Sequence, residues 1–332
     1  MNATTSSTPS PTPTAARLID YARLLRIPNV FTALADIGMG LAFVGWPIHK
    51  YPLAAVALGL ASALLYLAGM VLNDVFDIEI DRVERPQRPL PAGRIELTWA
   101  RTLGLTLLAG GITVGWAAGL ALPNNSPLPW RSGVIALAIA VFVVLYDRIL
   151  KHTPLGPLGM GACRFGNVLL GMSLASHTVA GNLVTLGFET SQLLAAGGIG
   201  LYIVGVTWFA RTEATISSRA PLIASLVVMT AGIVLLGIIP RYAGEYGVVR
   251  FKPVVFWSVL LASLFVPIVR RGATAVMNPE PQRVQAVVKN CIQSLILFDA
   301  AIAMGMNGPY WGLAVIALLA PMIILGRWVY ST

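Results

Sequence analysis

Residues 53–82 read LAAVALGLASALLYLAGMVLNDVFDIEIDR. From Leu53 to Asn73 there is no charged side chain, and then Asp74, Asp77, Glu79 and Asp81 arrive together. A helix needs about 20 apolar residues to cross the hydrocarbon of a bilayer, and this run supplies them. It is apolar on all sides, whereas a membrane β-strand alternates between apolar and polar positions. The stretch therefore predicts a transmembrane helix that delivers a group of carboxylates to one membrane surface.

The same signal recurs along the chain. Ten apolar segments are predicted as spans: Val30–Trp46, Leu53–Phe76, Thr98–Ala121, Gly133–Tyr146, Leu158–His177, Leu193–Ala210, Leu222–Ile239, Val254–Val269, Val287–Met306 and Trp311–Val329. The fold class is an all-α, polytopic transmembrane bundle of nine or ten spans. The last two segments form either a hairpin or one broken span across Asn307, Gly308 and Pro309. The composition agrees, with 56% hydrophobic and only 11% charged residues against about 25% charged in soluble domains. Residues 1–15, rich in Ser, Thr and Pro, are expected to be a disordered tail. Residues 16–332 are expected to be a single domain, with 307–332 an extra C-terminal span. Arg17–Arg26 is expected to lie at the membrane interface as a short helix.

Charge sets the orientation. The net charge is +9, but the basic residues sit in short loops, so it gives no indication of nucleic acid as a partner. With the N-terminus inside, seventeen Lys and Arg fall in inner loops and five in outer loops, a strong positive-inside bias. The expected location is the cytoplasmic or inner membrane. Cys163 and Cys291 both lie in apolar segments and read as small packing residues.

Asp74, Asp77 and Asp81 are spaced by three and four, so they stack on one helical face, with Asn73 beside it. Three like charges repel, and carboxylates at the end of an apolar span usually serve a function. A hard divalent cation would relieve the repulsion. Mg²⁺ suits oxygen ligands and shares its shell with substrate phosphates. The competing reading is an ordinary solvated helix end. The loop that follows, Arg85-Pro-Gln-Arg88-Pro-Leu-Pro-Ala-Gly93-Arg94, cannot continue as a long helix. It returns arginines to the acidic face, where a planar guanidinium can grip phosphate with two parallel bonds. Arg88, hemmed by prolines, is the favoured one.

Asn73-Asp74-x-x-Asp77-x-x-x-Asp81 followed by Arg88-Pro-Leu-Pro-x-Gly93 resembles the first aspartate-rich motif of the UbiA superfamily of intramembrane prenyltransferases. The resemblance runs from Arg23-x-x-Arg26-x-x-Asn29 to about Met306, and the last helix is an addition to the family's usual nine spans. It implies Mg²⁺ and a prenyl diphosphate held by Asn73, Asp74, Asp77 and Asp81. Tyr146-Asp147-Arg148-Ile149-Leu150-Lys151 is similar to the family's Tyr…Lys element, which implies that Tyr146 and Lys151 touch the diphosphate. The family's second aspartate-rich motif is reduced to Glu213, a candidate metal ligand, with Thr212, Thr215 and Ser217 as hydroxyls and Arg211 as a cation for the diphosphate. With Cys163-Arg164-x-x-Asn167, this looks like the EboC-type branch.

Asp36, Arg164, Asn167 and Asp299 are polar residues inside apolar runs. An unpaired charge there costs at least about 3 kcal/mol. They read either as an acceptor pocket (Asp36, Arg164 and Asn167) or as a packing ion pair of Arg164 with Asp36 or Asp299. The expected function is Mg²⁺-dependent transfer of a prenyl group from a prenyl diphosphate to a lipophilic acceptor within the bilayer. The alternative is a non-catalytic carrier or lipid-binding subunit on the same scaffold. A transporter would show an internal repeat or paired broken helices, and neither is evident.

Overall fold

The computed structural model describes residues 13–176, 186–211, 217–242 and 254–329. Each of the ten apolar segments carries a helix, and the last carries two. α1 (Pro13–Leu24) is the short N-terminal helix, so Pro13–Ala15 belong to it and not to the tail. α2 (Ile27–Phe43), α3 (Pro52–Phe76), the short α4 (Ile78–Glu84) and α5 (Leu97–Leu120) follow. Next come α6 (Arg131–Arg148), a single 3-10 turn (Leu150–His152), α7 (Gly156–Met172), α8 (Thr190–Ala210) and α9 (Arg219–Gly237). A short α10 (Ile239–Tyr242), α11 (Val254–Met277), α12 (Pro281–Asn307), α13 (Pro309–Ile316) and α14 (Leu319–Trp328) complete the chain.

Among the described residues, seven helices are long and apolar enough to cross a membrane, or eight if α1 and α2, bent by 44°, count as one span. The chain is an integral, multi-pass membrane protein. The difference from ten has a physical reason. α2 and α7 each have 17 residues, and α6 carries Arg131, Asp147 and Arg148 at its ends. These shorter helices sit side by side against α3, where neighbouring helices help to shield them from lipid.

The last two segments form a hairpin. Gly308 takes φ 96° and reverses the chain. A side chain on Gly312 would meet the Met304 Cβ at 2.6 Å, so α13 lies close against α12. Elsewhere, glycine lets α2 and α7 touch backbone to backbone. A Cβ on Gly171 would lie 2.9 Å from the Ile37 Cα, and one on Gly40 would lie 2.8 Å from the Gly171 carbonyl carbon. That contact places Asp36 on α2 beside Arg164 on α7.

Candidate functional site

α3 ends at Phe76 and α4 begins at Ile78, but the hydrogen bonds barely pause. The Asp77 amide donates to the Asn73 carbonyl at 3.0 Å, and the Asp81 amide to the Asp77 carbonyl at 2.8 Å. The three aspartates therefore keep near-helical spacing. Their mutual repulsion is relieved by cations. Arg26 donates to Asp74 at 2.9 Å. One Arg88 nitrogen reaches Asp81 at 2.8 Å and Asp74 at 3.4 Å. Lys151 forms an ion pair with Asp77 at 2.7 Å, a close contact without the angle of a directed hydrogen bond. His152 lies 3.9 Å from the same carboxylate.

The proline loop presents Arg88 because it is anchored on both sides. Leu90 and Ile95 pack with Leu24, Val71, Val75 and Ala100 in a small apolar cluster. Gly93, at φ 70°, allows the turn that brings the Arg94 amide to the Pro89 carbonyl. The Arg94 side chain donates to Asp20 of α1 and to the Gln87 carbonyl, both at 2.9 Å. Arg26 occupies a tight corner between α1 and α2 with φ 45° and ψ 47°, a left-handed conformation that a non-glycine residue rarely adopts. Its ion pair with Asp74 helps to hold that corner.

Beneath this acidic face lies an apolar cavity walled by α2, α3, α6 and α7. Gly69 and Met70 of α3 line it one turn before Asn73 and Asp74, and Tyr146 and Asp147 of α6 line it as well. Asn73 does not turn to the other aspartates; its amide donates to Asp147 at 3.0 Å. On the opposite wall, Arg164 donates to Asp36 at 2.7 Å and to the Thr32 hydroxyl at 3.0 Å. Asn167 donates to Asp36 at 2.7 Å and to the Ala33 carbonyl at 3.0 Å. The Ser62 hydroxyl donates to Asn167 at 2.6 Å. Asp299 of α12 adjoins Asp36, and both are fully buried. Of the two pairings open for Arg164, the structure forms the one with Asp36.

The structure thus brings Asp74, Asp77, Asp81, Arg88 and Lys151 together, with Asn73 and Tyr146 adjoining. Arg211 sits apart from them. It donates to the Thr153 carbonyl at 2.7 Å and ties the end of α8 to the loop that carries Lys151. Glu213, Thr212 and Thr215 lie outside the described residues. Arg26 and Asp147 carry roles the sequence reading did not assign. Arg26 was visible only as one of several basic residues before the first span, and Asp147 as the neighbour of Tyr146.

Among the described residues, no three His, Cys, Asp or Glu side chains are grouped closely enough to hold a metal ion. The donor set nevertheless fits Mg²⁺ shared with a diphosphate. It is made of hard carboxylate oxygens, and such an ion takes the rest of its shell from phosphate and water. The cations now resting on the carboxylates are the groups that phosphate oxygens would attract.

The chain is 33% identical over 171 residues to the digeranylgeranylglyceryl phosphate synthase of Ignicoccus hospitalis, covering 52% of this chain and 49% of that protein. It is 37% identical over 184 residues to the synthase of the same name from Sulfurisphaera tokodaii, covering 55% and 58%. The matches span about half the length of these curated relatives. Among solved structures, that of a digeranylgeranylglyceryl phosphate synthase superposes with TM-score 0.58 at 20% identity, over 88% of this chain and 99% of that one. A UbiA homologue from Archaeoglobus fulgidus bound to DMAPP and Mg²⁺ superposes with TM-score 0.57 at 15% identity, over 90% and 99%. These likenesses establish the shared fold. Residues 30–270 match the UbiA prenyltransferase family. The chain belongs to that family.

Proposed function

We propose that this chain transfers a prenyl group from an allylic prenyl diphosphate to a lipophilic acceptor, with Mg²⁺ at the carboxylate face. One observation carries the reading. Three carboxylates and three cations, Arg26, Arg88 and Lys151, stand at the end of a cavity lined mostly by apolar side chains, the kind of lining typical of ligand sites. A molecule with a charged head and a hydrocarbon tail matches that division. The names of the relatives and the ligands of the Archaeoglobus fulgidus homologue support it.

In this reading Asp74, Asp77 and Asp81 hold Mg²⁺, with Glu213 as a further ligand. The ion supplies positive charge that stabilises the departing diphosphate. Arg26, Arg88 and Lys151 leave their carboxylates and bind phosphate oxygens, so they orient the head and stabilise the charge that develops as the C–O bond loosens. Tyr146 stands where head and tail meet. Arg211 acts by fixing the loop that carries Lys151. The apolar walls keep water away from the allylic centre. Arg164 and Asn167, braced by Asp36, offer the polar end of the acceptor a place on the opposite wall. The N-terminus and the three loops that carry charge lie on the inner face.

The test uses the full-length protein in a bilayer mimetic with geranyl diphosphate, Mg²⁺ and a lipid extract of the source cells. Mg²⁺-dependent release of inorganic diphosphate, with a prenylated lipid in the mass spectrum, is the expected result. Binding of geranyl diphosphate without release under these conditions would favour the carrier.

A further inference from the structure

The acceptor must lose a proton when it is prenylated, and the cavity restricts where that proton can go. Among the described lining residues Asp147 is the only carboxyl. It is 4% exposed. Its Oδ1 accepts from Asn73 at 3.0 Å, which fixes the plane of the group. Oδ2 accepts from no donor among the described residues. Asp36, the nearest rival, already receives Arg164 and Asn167 on one oxygen and lies behind the wall. Asn73 connects Asp147 to the acidic face, since it directly precedes Asp74. The carboxyl therefore stands where the head of the donor meets its tail, close to the bond expected to break.

Resting on the prenyl transfer proposed above, we infer that Asp147 takes the proton that a hydroxyl acceptor loses when it is prenylated. The C1–O bond of the prenyl diphosphate breaks and its electron pair leaves with the diphosphate. A lone pair of the acceptor hydroxyl forms the new O–C1 bond. The hydroxyl O–H bond breaks and its proton passes to Asp147 Oδ2. A neutral hydroxyl that attacks carbon becomes a cationic oxygen, and an apolar cavity without a base would leave that charge uncompensated. Asn73 is a positioning residue for this step, because its amide orients the accepting group.

Asp147→Asn preserves shape and can still accept from Asn73. The experiment uses the full-length protein with geranyl diphosphate and Mg²⁺ and two nucleophiles. One is geranylgeranylglyceryl phosphate, which offers a hydroxyl; the other is azide, an anion with no proton to lose. In the variant, kcat for the hydroxyl lipid should fall by about 10²- to 10⁴-fold, the usual contribution of a general base. Mg²⁺-dependent geranyl diphosphate binding and formation of prenyl azide should stay at wild-type levels. Wild-type transfer to the lipid by the variant would overturn the assignment and leave the proton to the diphosphate. Parallel loss of binding and of prenyl azide would overturn it too, since Asp147 would then belong to the diphosphate site. Failure of the wild type with both nucleophiles would sink prenyl transfer itself and this inference with it.

Discussion

The bundle contains two ionic clusters built from the same side chains and held in opposite ways. At the carboxylate face, Asp74, Asp77 and Asp81 share Arg26, Arg88 and Lys151, each cation on a long side chain that comes from a loop or helix end. Water still reaches this cluster, as Arg26 and Asp77 keep 22% and 18% side-chain exposure. On the far wall, Arg164 and Asp36 come from the middles of two helices in backbone contact; Asp36 has no exposure, and Arg164 keeps 12% where it lines the cavity. Asn167, Thr32 and Ser62 extend that second network. An arriving phosphate can take a cation from the first cluster because both separated partners find new ones. The second cluster has no such exchange, since a lone charge there would face hydrocarbon. The first is suited to swapping partners and the second to holding a wall in place.

The sharpest way to break this contrast is Asp36→Asn. It removes the carboxylate bonded to Arg164, and removal of one member of a buried pair costs about 3–5 kcal/mol. Thermal unfolding in detergent should show the loss. An unchanged midpoint would mean that water reaches the far wall. Arg88→Ala should cause a smaller change, and in binding. Loss of a charge-assisted bond of about 1.5–3 kcal/mol weakens Mg²⁺-dependent geranyl diphosphate binding roughly 10- to 150-fold. Arg88→Lys should recover only part, because a point charge replaces a planar fork. Equal affinity in all three proteins would remove Arg88 from the site.

Gly171→Ala probes the backbone contact that aligns the second cluster. The added methyl falls 2.9 Å from the Ile37 Cα, so the helices must separate, at about 1–3 kcal/mol of stability. The effect should shrink when Asp36 is already Asn. Independent, additive losses would show that the contact does not serve the ion pair. The mildest change is Asp299→Asn. One guanidinium balances one carboxylate, so of Asp36 and Asp299 one must hold a proton, and an amide at 299 removes no charge. Both Asp299 oxygens lack a donor among the described residues, and the amide can donate to the open Asp36 oxygen. Stability should change by less than about 1 kcal/mol. A loss as large as that of Asp36→Asn would show that Asp299 carries the charge.

Much of this arrangement was legible in the sequence, for physical reasons. Hydrocarbon demands long apolar runs, so all ten helical segments could be found, whereas the short gap at Gly308 allowed either a hairpin or a broken span until the packing of α13 on α12 decided for the hairpin. The spacing of Asp74, Asp77 and Asp81 survives a helix break because the hydrogen bonds run across it. What sequence spacing could not convey is the partner of each side chain. Asn73 looked like a fourth ligand on the acidic face, yet its amide turns across to α6. Repulsion among the aspartates pointed to a metal, and their spacing gave no sign that Arg26, Arg88 and Lys151 also stand against them. Arg26 reaches Asp74 from 48 residues away through a left-handed corner that no residue preference signals. Arg211 sits at the predicted span end, but its direction depends on how α8 meets the loop at Thr153.

The central claim is that the carboxylates and cations at the mouth exchange partners around a Mg²⁺–diphosphate. The most direct measurement is binding of a non-hydrolysable geranyl diphosphate analogue across a Mg²⁺ series, for the wild type and for Asp77→Asn. The account predicts that wild-type affinity rises with Mg²⁺, whereas Asp77→Asn binds weakly and nearly independently of the ion, with its unfolding midpoint little changed. Superimposable curves for the two proteins would contradict it.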